Sequence, residues 1–193
     1  MKNDTAEDVV LEIKDKSELM VDLAYSSLLY NNKTIAEEVY DLENLIDELY
    51  ETLQKDTLEA VSRQKLSVDN ALTIIKLAKA GEEIADAAQE IADVQLRDVD
   101  PHPILTMSLK ESDEVLSRVM VKKDSVLCGK TLGELKLGSE TGMTVIAMRH
   151  KNRWLYGPNK KTQIDEEDIL FAKGPEDGEK HLQELAQGKI SEI

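Results

Sequence analysis

The residues of this chain best suited to chemistry are carboxylates gathered in one short stretch, GEEIADAAQEIAD at positions 81–93. On a helix, Glu82, Asp86 and Glu90 follow one another at four-residue spacing, with Asp93 beside them. At about 100° per residue the four lie within about 80° of one another. Like charges so spaced weaken a helix by roughly 0.2–0.5 kcal/mol per pair, so the ladder needs a compensating environment. Water supplies one on any acidic helix face. A hard cation, Mg2+, Ca2+, Mn2+ or iron, would supply another. Val68, Leu72 and Ile75 fall on the same line of the helix one to three turns earlier, so the carboxylates stand where an apolar stripe would continue. Glu43 and Asp47, also four apart, flank the apolar stripe of the preceding helix and could face the ladder across a groove. The first 97 residues contain neither Cys nor His, so a soft zinc site is not expected there. A solvated acidic face and a cation site both remain open on this reading.

A second kind of chemistry is suggested by the basic run RHKNR at 149–153, with Lys160 and Lys161 beyond it. Arg149 and Arg153 bracket an expected hairpin turn, and would grip an anionic ligand if both pointed one way. The run CGKT at 128–131 is not a phosphate loop, because Asp124 stands where such a loop needs its first glycine. It is expected to be a structural turn, with Gly129 supplying the unusual φ. His102, His150 and His181 have no Ser or Asp at a spacing that suggests a proton relay. No catalytic set is visible, and the protein is expected not to be an enzyme.

Composition separates these two chemistries into two units. The chain has 193 residues and a net charge of −15. Residues 1–100 hold 10 Lys/Arg against 24 Asp/Glu, whereas residues 101–193 hold 14 against 15. The acidic half would repel nucleic acid, so no nucleic-acid partner is expected. Cys128 is the only cysteine, which excludes an internal disulfide and any CxxC site. No run of about 18 apolar residues occurs, so no direct membrane insertion is expected. The N-terminus lacks the basic and apolar regions of a signal peptide, and a cytoplasmic protein is expected.

The elements that must position these groups follow from apolar spacing. Up to residue 97 there is one glycine and no proline. Helices are expected over about 6–30, 33–62 and 66–96, with NNKT at 31–34 and SRQKLS at 62–67 as the turns and Asn32 or Thr34 as a cap. Expected apolar faces are Val10, Ile13, Met20, Ala24 and Leu28; then Ile35, Val39, Leu42, Ile46, Leu49 and Leu53; then Val68, Ala71, Leu72, Ile75, Ala78, Ala85, Ala88 and Ala92. Long helices with short connections pack as an antiparallel bundle. RDVDPHP at 97–103 then ends the helices, since prolines and the residues before them resist helix. The expected fold class is α + (α+β): a three-helix bundle over 1–97, a linker over 98–114, and a small α+β domain over 115–193. LKESDEVLS at 109–117 is expected as a short polar helix or arm leading into the last, where RVMVKKDSVL at 118–127 is expected as a strand and turn. GMTVIAMRH at 142–150, a hairpin strand returning through Asn152, and DILFAKG at 168–174 complete the sheet, before a final helix starting near Pro175.

The order of these stretches resembles a known family. SVLCGKTLGELKL, then GMTVIAMRHKNRWLYGPNKKTQIDEEDILFAKG and the closing helix resemble the TrkA-C domain, the C-terminal lobe of RCK regulators of potassium channels and transporters. That resemblance implies a homodimer through this domain, whose cleft in some members holds a signalling ligand such as the cyclic dinucleotide cyclic di-AMP. The helical half resembles a single repeat of PhoU, the phosphate-uptake regulator, through ENLID at 43–47 and EEIADAAQEIAD at 82–93. In that family such motifs hold metal clusters, so the resemblance implies Glu43, Asp47, Glu82 and Asp86 as ligands of a divalent or iron cation, with Glu90 next in the ladder. Glu83, Ala85 and Glu90 depart from the family's Arg, Gly and Asn, and one repeat stands where PhoU has two. No G-x-G-x-x-G occurs, so the nucleotide sensing of a full RCK protein is not implied. Together the two resemblances imply a cytoplasmic regulatory subunit of a cation transport system, most naturally potassium, working at the inner face of the membrane on an integral membrane transporter or channel. A metal-binding phosphate-uptake-type adaptor is the alternative they imply.

Overall fold

The computed structural model describes residues 5–97, 114–151 and 153–190. The chain divides into two compact units, Met1–Thr106 and Met107–Ile193. The linker expected over 98–114 lies outside the described residues except for Glu114, as does the hairpin residue Asn152.

The first unit is built from three long helices: α1 (Ala6–Leu29), α2 (Lys33–Ser62) and α3 (Val68–Leu96). Each begins where a side chain can satisfy the orphan N–H groups of a first turn. The Thr5 side chain caps α1 in a reciprocal capping box with Asp8, Asn32 caps α2, and Ser67 caps α3. Asn31 and Gln64 adopt left-handed backbone at the two turns. Gln95 then ties the end of α3 back to the first turn, its amide donating to Asn31 Oδ1 at 2.7 Å.

The interior follows the expected stripes of α1 and α2. Ile13, Met20 and Ala24 are buried from α1; Ile35, Val39, Leu42, Ile46 and Leu53 are buried from α2. Each fully buried Leu or Ile contributes about 1.5–3 kcal/mol. On α3 the expectation needs correcting. Its buried stripe is almost entirely alanine, Ala71, Ala78, Ala85, Ala88 and Ala92, while Val68 and Leu72 are exposed. Small side chains let α3 approach closely. A Cβ on Gly81 would lie 2.6 Å from Ile13 Cγ2 of α1. Close approach favours the alanine line as the core, and leaves the Val68–Leu72 line outside it.

The second unit is a four-stranded antiparallel sheet with strand order β1-β4-β2-β3. Its elements are β1 (Glu114–Met120), the short helices α4 (Leu132–Leu135) and α5 (Leu137–Glu140), β2 (Thr144–His150), β3 (Arg153–Tyr156), β4 (Ile169–Pro175) and α6 (Glu176–Ala186). The first strand starts four residues earlier than expected and takes in part of the stretch expected as a polar arm. Val115, Leu116, Ser117 and Val119 are all buried there. Residues 121–130 form turns after the strand, as expected: Gly129 has φ +80 and its N–H donates to Ile164 O at 2.8 Å, while Thr131, bridged to Gln163, forms a capping box with Glu134 on α4. CGKT is thus the structural turn expected. The main core lies on one face of the sheet, where Val119, Met148, Leu170 and Ala172 pack with Leu182, Leu185 and Ala186 of α6 and with Leu135 and Leu137. Strand β4 is central, and Ile169, Leu170, Phe171 and Ala172 are buried in succession. Alternating side chains point to opposite faces, so both faces of this strand are covered.

Candidate functional site

The carboxylate ladder proves to be part of the α2–α3 seam. Tyr40 of α2 donates its hydroxyl to Asp93 Oδ1 at 2.7 Å, and Arg97 pairs with the same carboxylate. Near the other end, Glu82 pairs with Lys79, whose ammonium lies 5.8 Å from the centre of the Tyr50 ring of α2. Between them, Glu43 and Asp47 of α2 meet Asp86 and Gln89 of α3. Burial pushes the Glu43 carboxyl above the usual carboxylate range, and the neighbouring Asp47 and then Asp86 push it further. The neighbouring Gln89 amide opposes the shift. Of the five carboxylates singled out, the structure therefore brings Glu43, Asp47 and Asp86 together. It gives Glu82 a lysine partner and leaves Glu90 exposed.

The basic hairpin separates its two arginines. In the β2–β3 register Arg149 lies opposite Trp154, and His150 lies opposite Arg153. Neighbouring residues on a strand face opposite ways, so Arg149 and Arg153 are on opposite faces of the sheet. The single clamp expected from their spacing does not form, because Arg153 pairs with His150, one register position from Arg149. Arg149 instead stands 5.6 Å from the Trp154 ring centre, a cation–π distance. Trp154 stacks on Tyr156 at 5.9 Å and on Phe171 at 5.1 Å. Arg118, opposite Phe171 in the β1–β4 pairing, belongs to this same aromatic face.

A cleft of the second unit involves neither arginine. It measures about 600 Å3 and is lined by Leu132, Leu137, Pro158, Asn159, Lys136 and Lys160, among others. Its edge is held by close backbone contact: Gly133 donates to Lys160 O at 2.8 Å, where any Cβ on residue 133 would meet that oxygen at 2.7 Å. Lys136 has left-handed backbone, φ 48, at the joint between α4 and α5. Apolar walls with two exposed lysines can take a flat, anionic organic molecule, and the volume falls in the range of small-molecule sites. Sequence reading missed this cleft because its two cationic side chains are 24 residues apart and meet only through the 133–160 contact.

A third cluster was also missed. His150 Nδ1 lies 2.5 Å from Asp168 Oδ1, joining residues 18 apart in sequence. Asp165 is close by, and among the described residues these three form the group whose ligand atoms all lie within 4.8 Å of one another.

Comparison with known proteins fits this anatomy. Residues 10–94 match the PhoU domain model and residues 116–187 the TrkA-C domain model. A Methanocaldococcus jannaschii protein described as "Probable potassium channel protein 2" is 26% identical over 83 residues, covering 43% of this chain and 24% of that protein. The K(+)/H(+) antiporter subunit KhtT of Bacillus subtilis is 30% identical over 92 residues, covering 47% of this chain and 54% of that protein. The chain thus spans about a quarter to about half the length of these relatives. Among solved structures, the RCK_C domain dimer of S. agalactiae BusR in complex with c-di-AMP aligns with 26% identity and a TM-score of 0.37, over 40% of this chain and 96% of that one. Among the described residues no helix is long and apolar enough to cross a membrane. The chain thus matches a PhoU domain model followed by a TrkA-C domain model.

Proposed function

We propose that this protein is a non-enzymatic regulatory subunit of a cation transport system, potassium being the ion its relatives' names carry. In this reading residues 1–97 are a helical arm that meets the cytosolic side of an integral membrane channel or transporter. Residues 98–114 are a linker, and residues 115–193 dimerise and sense a small ligand. The observation that carries the sensing role is the cleft of about 600 Å3 beside Lys136 and Lys160. Its apolar walls suit a purine and its lysines suit phosphate, so the ligand is an anionic nucleotide, with a cyclic dinucleotide as the first candidate. A ligand of this kind acts by population shift: it favours one arrangement of the dimer only by binding it more tightly than the other.

The arm reading is supported by exposed apolar side chains on the helical unit. Leu11 is 58% exposed, Leu77 60% and Ile84 47%, and they border one groove between α1 and α3. A surface of this type is a contact face for another protein.

The test is calorimetric titration of the full chain with cyclic di-AMP, read beside native mass spectrometry of untagged protein. The expected result is a dimer that binds the dinucleotide, with affinity reduced at least tenfold by Lys136→Ala combined with Lys160→Ala. A bare protein that neither retains nor binds any nucleotide would overturn the sensing role.

A second reading is favoured by the crowding of Asp47 and Asp86 against Glu43, whose carboxyl is pushed up first by burial and then by these neighbours. Here the helical unit is a cation-binding adaptor and the seam is its working surface. Manganese or magnesium binding that disappears in Asp86→Asn would support it.

A further inference from the structure

We propose that His150, Asp165 and Asp168 form a binding site for one first-row divalent transition ion of the zinc class, separate from the helical carboxylates and from the lysine cleft. The donor set is mixed: one imidazole and two carboxylates, with atoms all within 4.8 Å of one another. Bonds of about 2.0–2.2 Å to a tetrahedral ion place donors about 3.3–3.6 Å apart, so the His150–Asp168 pair, at 2.5 Å, opens by about 1 Å as the ion enters and Asp165 closes by about 1–2 Å. The flexible member is available for that movement, since Asp165 is exposed, as is His150, while Asp168 is only 2% exposed.

The buried ligand is fixed by its surroundings. Asp168 Oδ2 accepts the Asp165 N–H at 2.8 Å, which leaves Oδ1 facing His150 Nδ1 at 2.5 Å. The turn that carries both aspartates is tied to the end of β1: Glu167 N donates to Val121 O, and Val121 N to Asp168 O, each at 2.9 Å. Fully buried Ile164 anchors its other side. Hydrogen bonds of this kind orient a ligand before an ion arrives. Gln163 reaches Asp165 Oδ1 at 3.4 Å, and Asp165 has a second oxygen to offer.

The choice of ion follows from the donors. An imidazole is a poor ligand for Mg2+ or Ca2+, which prefer all-oxygen shells, and suits zinc, cobalt or nickel. Two carboxylates cancel the ion's charge, so Arg153, which lies opposite His150 in the strand pairing, does not face a net cation. Three protein donors leave room for water, giving an exposed site open to exchange rather than a closed structural one. A bound ion would lock the end of β2 to the turn before β4.

The experiment uses the full chain carrying Glu43→Gln, Asp47→Asn and Asp86→Asn, so that the helical carboxylates cannot report. Cobalt is added and followed by its visible absorption and by the NMR signals of the His150 ring, and zinc is added in competition. The expected result is one equivalent bound, with His150 resonances shifted and at least a tenfold loss of affinity in His150→Ala and in Asp165→Ala. Because Asp165 is exposed, its alanine variant keeps the native melting temperature, which separates lost ligation from lost folding. No bound cobalt or zinc at about 1 mM would overturn the site and leave His150–Asp168 as a hydrogen-bonded contact. Unchanged binding in both alanine variants would overturn it equally.

Discussion

The two units place their acidic groups by different devices. In the helical unit a carboxylate is positioned by period: Glu82, Asp86 and Asp93 reach the α2–α3 seam because they share one side of a helix, and the alanine stripe beside them draws that side close. In the α+β unit Asp168 is positioned by a turn and by pairing, and it meets His150 from a different strand. The interiors differ in the same way. The third helix contributes alanines and Gln95 to its core, whereas β4 is packed on both faces with Ile169, Leu170, Phe171 and Ala172. A seam of small residues tolerates charge at its edge, because the flanking side chains stay near solvent. A doubly covered strand tolerates little change at all.

That contrast can be broken most severely at Phe171, which is fully buried and stacked on Trp154. Phe171→Ala is expected to cost about 3–5 kcal/mol. Trp154 is the only tryptophan, so its fluorescence reports this unit alone, while far-ultraviolet circular dichroism is dominated by the three long helices. The Trp signal is expected to melt well before the helical signal in this variant. A single transition lowered for both probes would show that the two units unfold together.

Glycines sharpen the comparison with a smaller effect. A Cβ on Gly178 would lie 2.2 Å from Thr141 O, a backbone atom that cannot rotate away. The Cβ of Gly81→Ala would meet only Ile13 Cγ2 at 2.6 Å, a side-chain methyl. Gly178→Ala is expected to cost about 1–3 kcal/mol in denaturant unfolding. In Gly81→Ala the clash is offset by the better helix propensity of alanine, about 0.8–1.0 kcal/mol, so its net change is expected to be the smaller of the two. Equal losses would mean that α1 and α3 are held as rigidly as α6 and the turn before β2.

How much of this was readable follows from the same distinction. The helices were legible because their period, caps and turns are local: Asn32 and Ser67 announce α2 and α3 within a few residues. On α3 the five buried alanines were among the residues expected on the apolar face, but so were Val68 and Leu72, which look more apolar and are exposed because only close packing favours the alanines. Strand order and face were harder. Arg149 and Arg153 look like neighbours in sequence, but the register sends them to opposite faces. The cleft at Lys136 and Lys160 and the His150–Asp168 pair depend on contacts between residues 18 or more apart, for which no local pattern exists.

The smallest expected effect lies in the seam itself and concerns Glu43. Its folded-state pKa is raised, first by burial and then by Asp47 and Asp86. Folding therefore favours the protonated carboxyl. The resulting stabilisation is fully present below the unfolded value, about 4.3, and is lost as pH rises through the higher folded value. At neutral pH the charged Glu43 is a liability, and Glu43→Gln removes a like-charge pair at four-residue spacing with Asp47. A gain of roughly 0.2–0.5 kcal/mol is expected for the variant at pH 7, shrinking as the pH falls through the raised folded value and gone below about 4.3. Urea unfolding at several pH values, read by the helical signal, measures it. Repeating the series with manganese makes the same substitution decide between the two readings of the seam. If the carboxylates hold a cation, manganese raises the stability of the unsubstituted chain and Glu43→Gln cancels that rise. If they form an acidic face with its own lysine, arginine and tyrosine partners, manganese changes neither protein, and the substitution remains mildly stabilising.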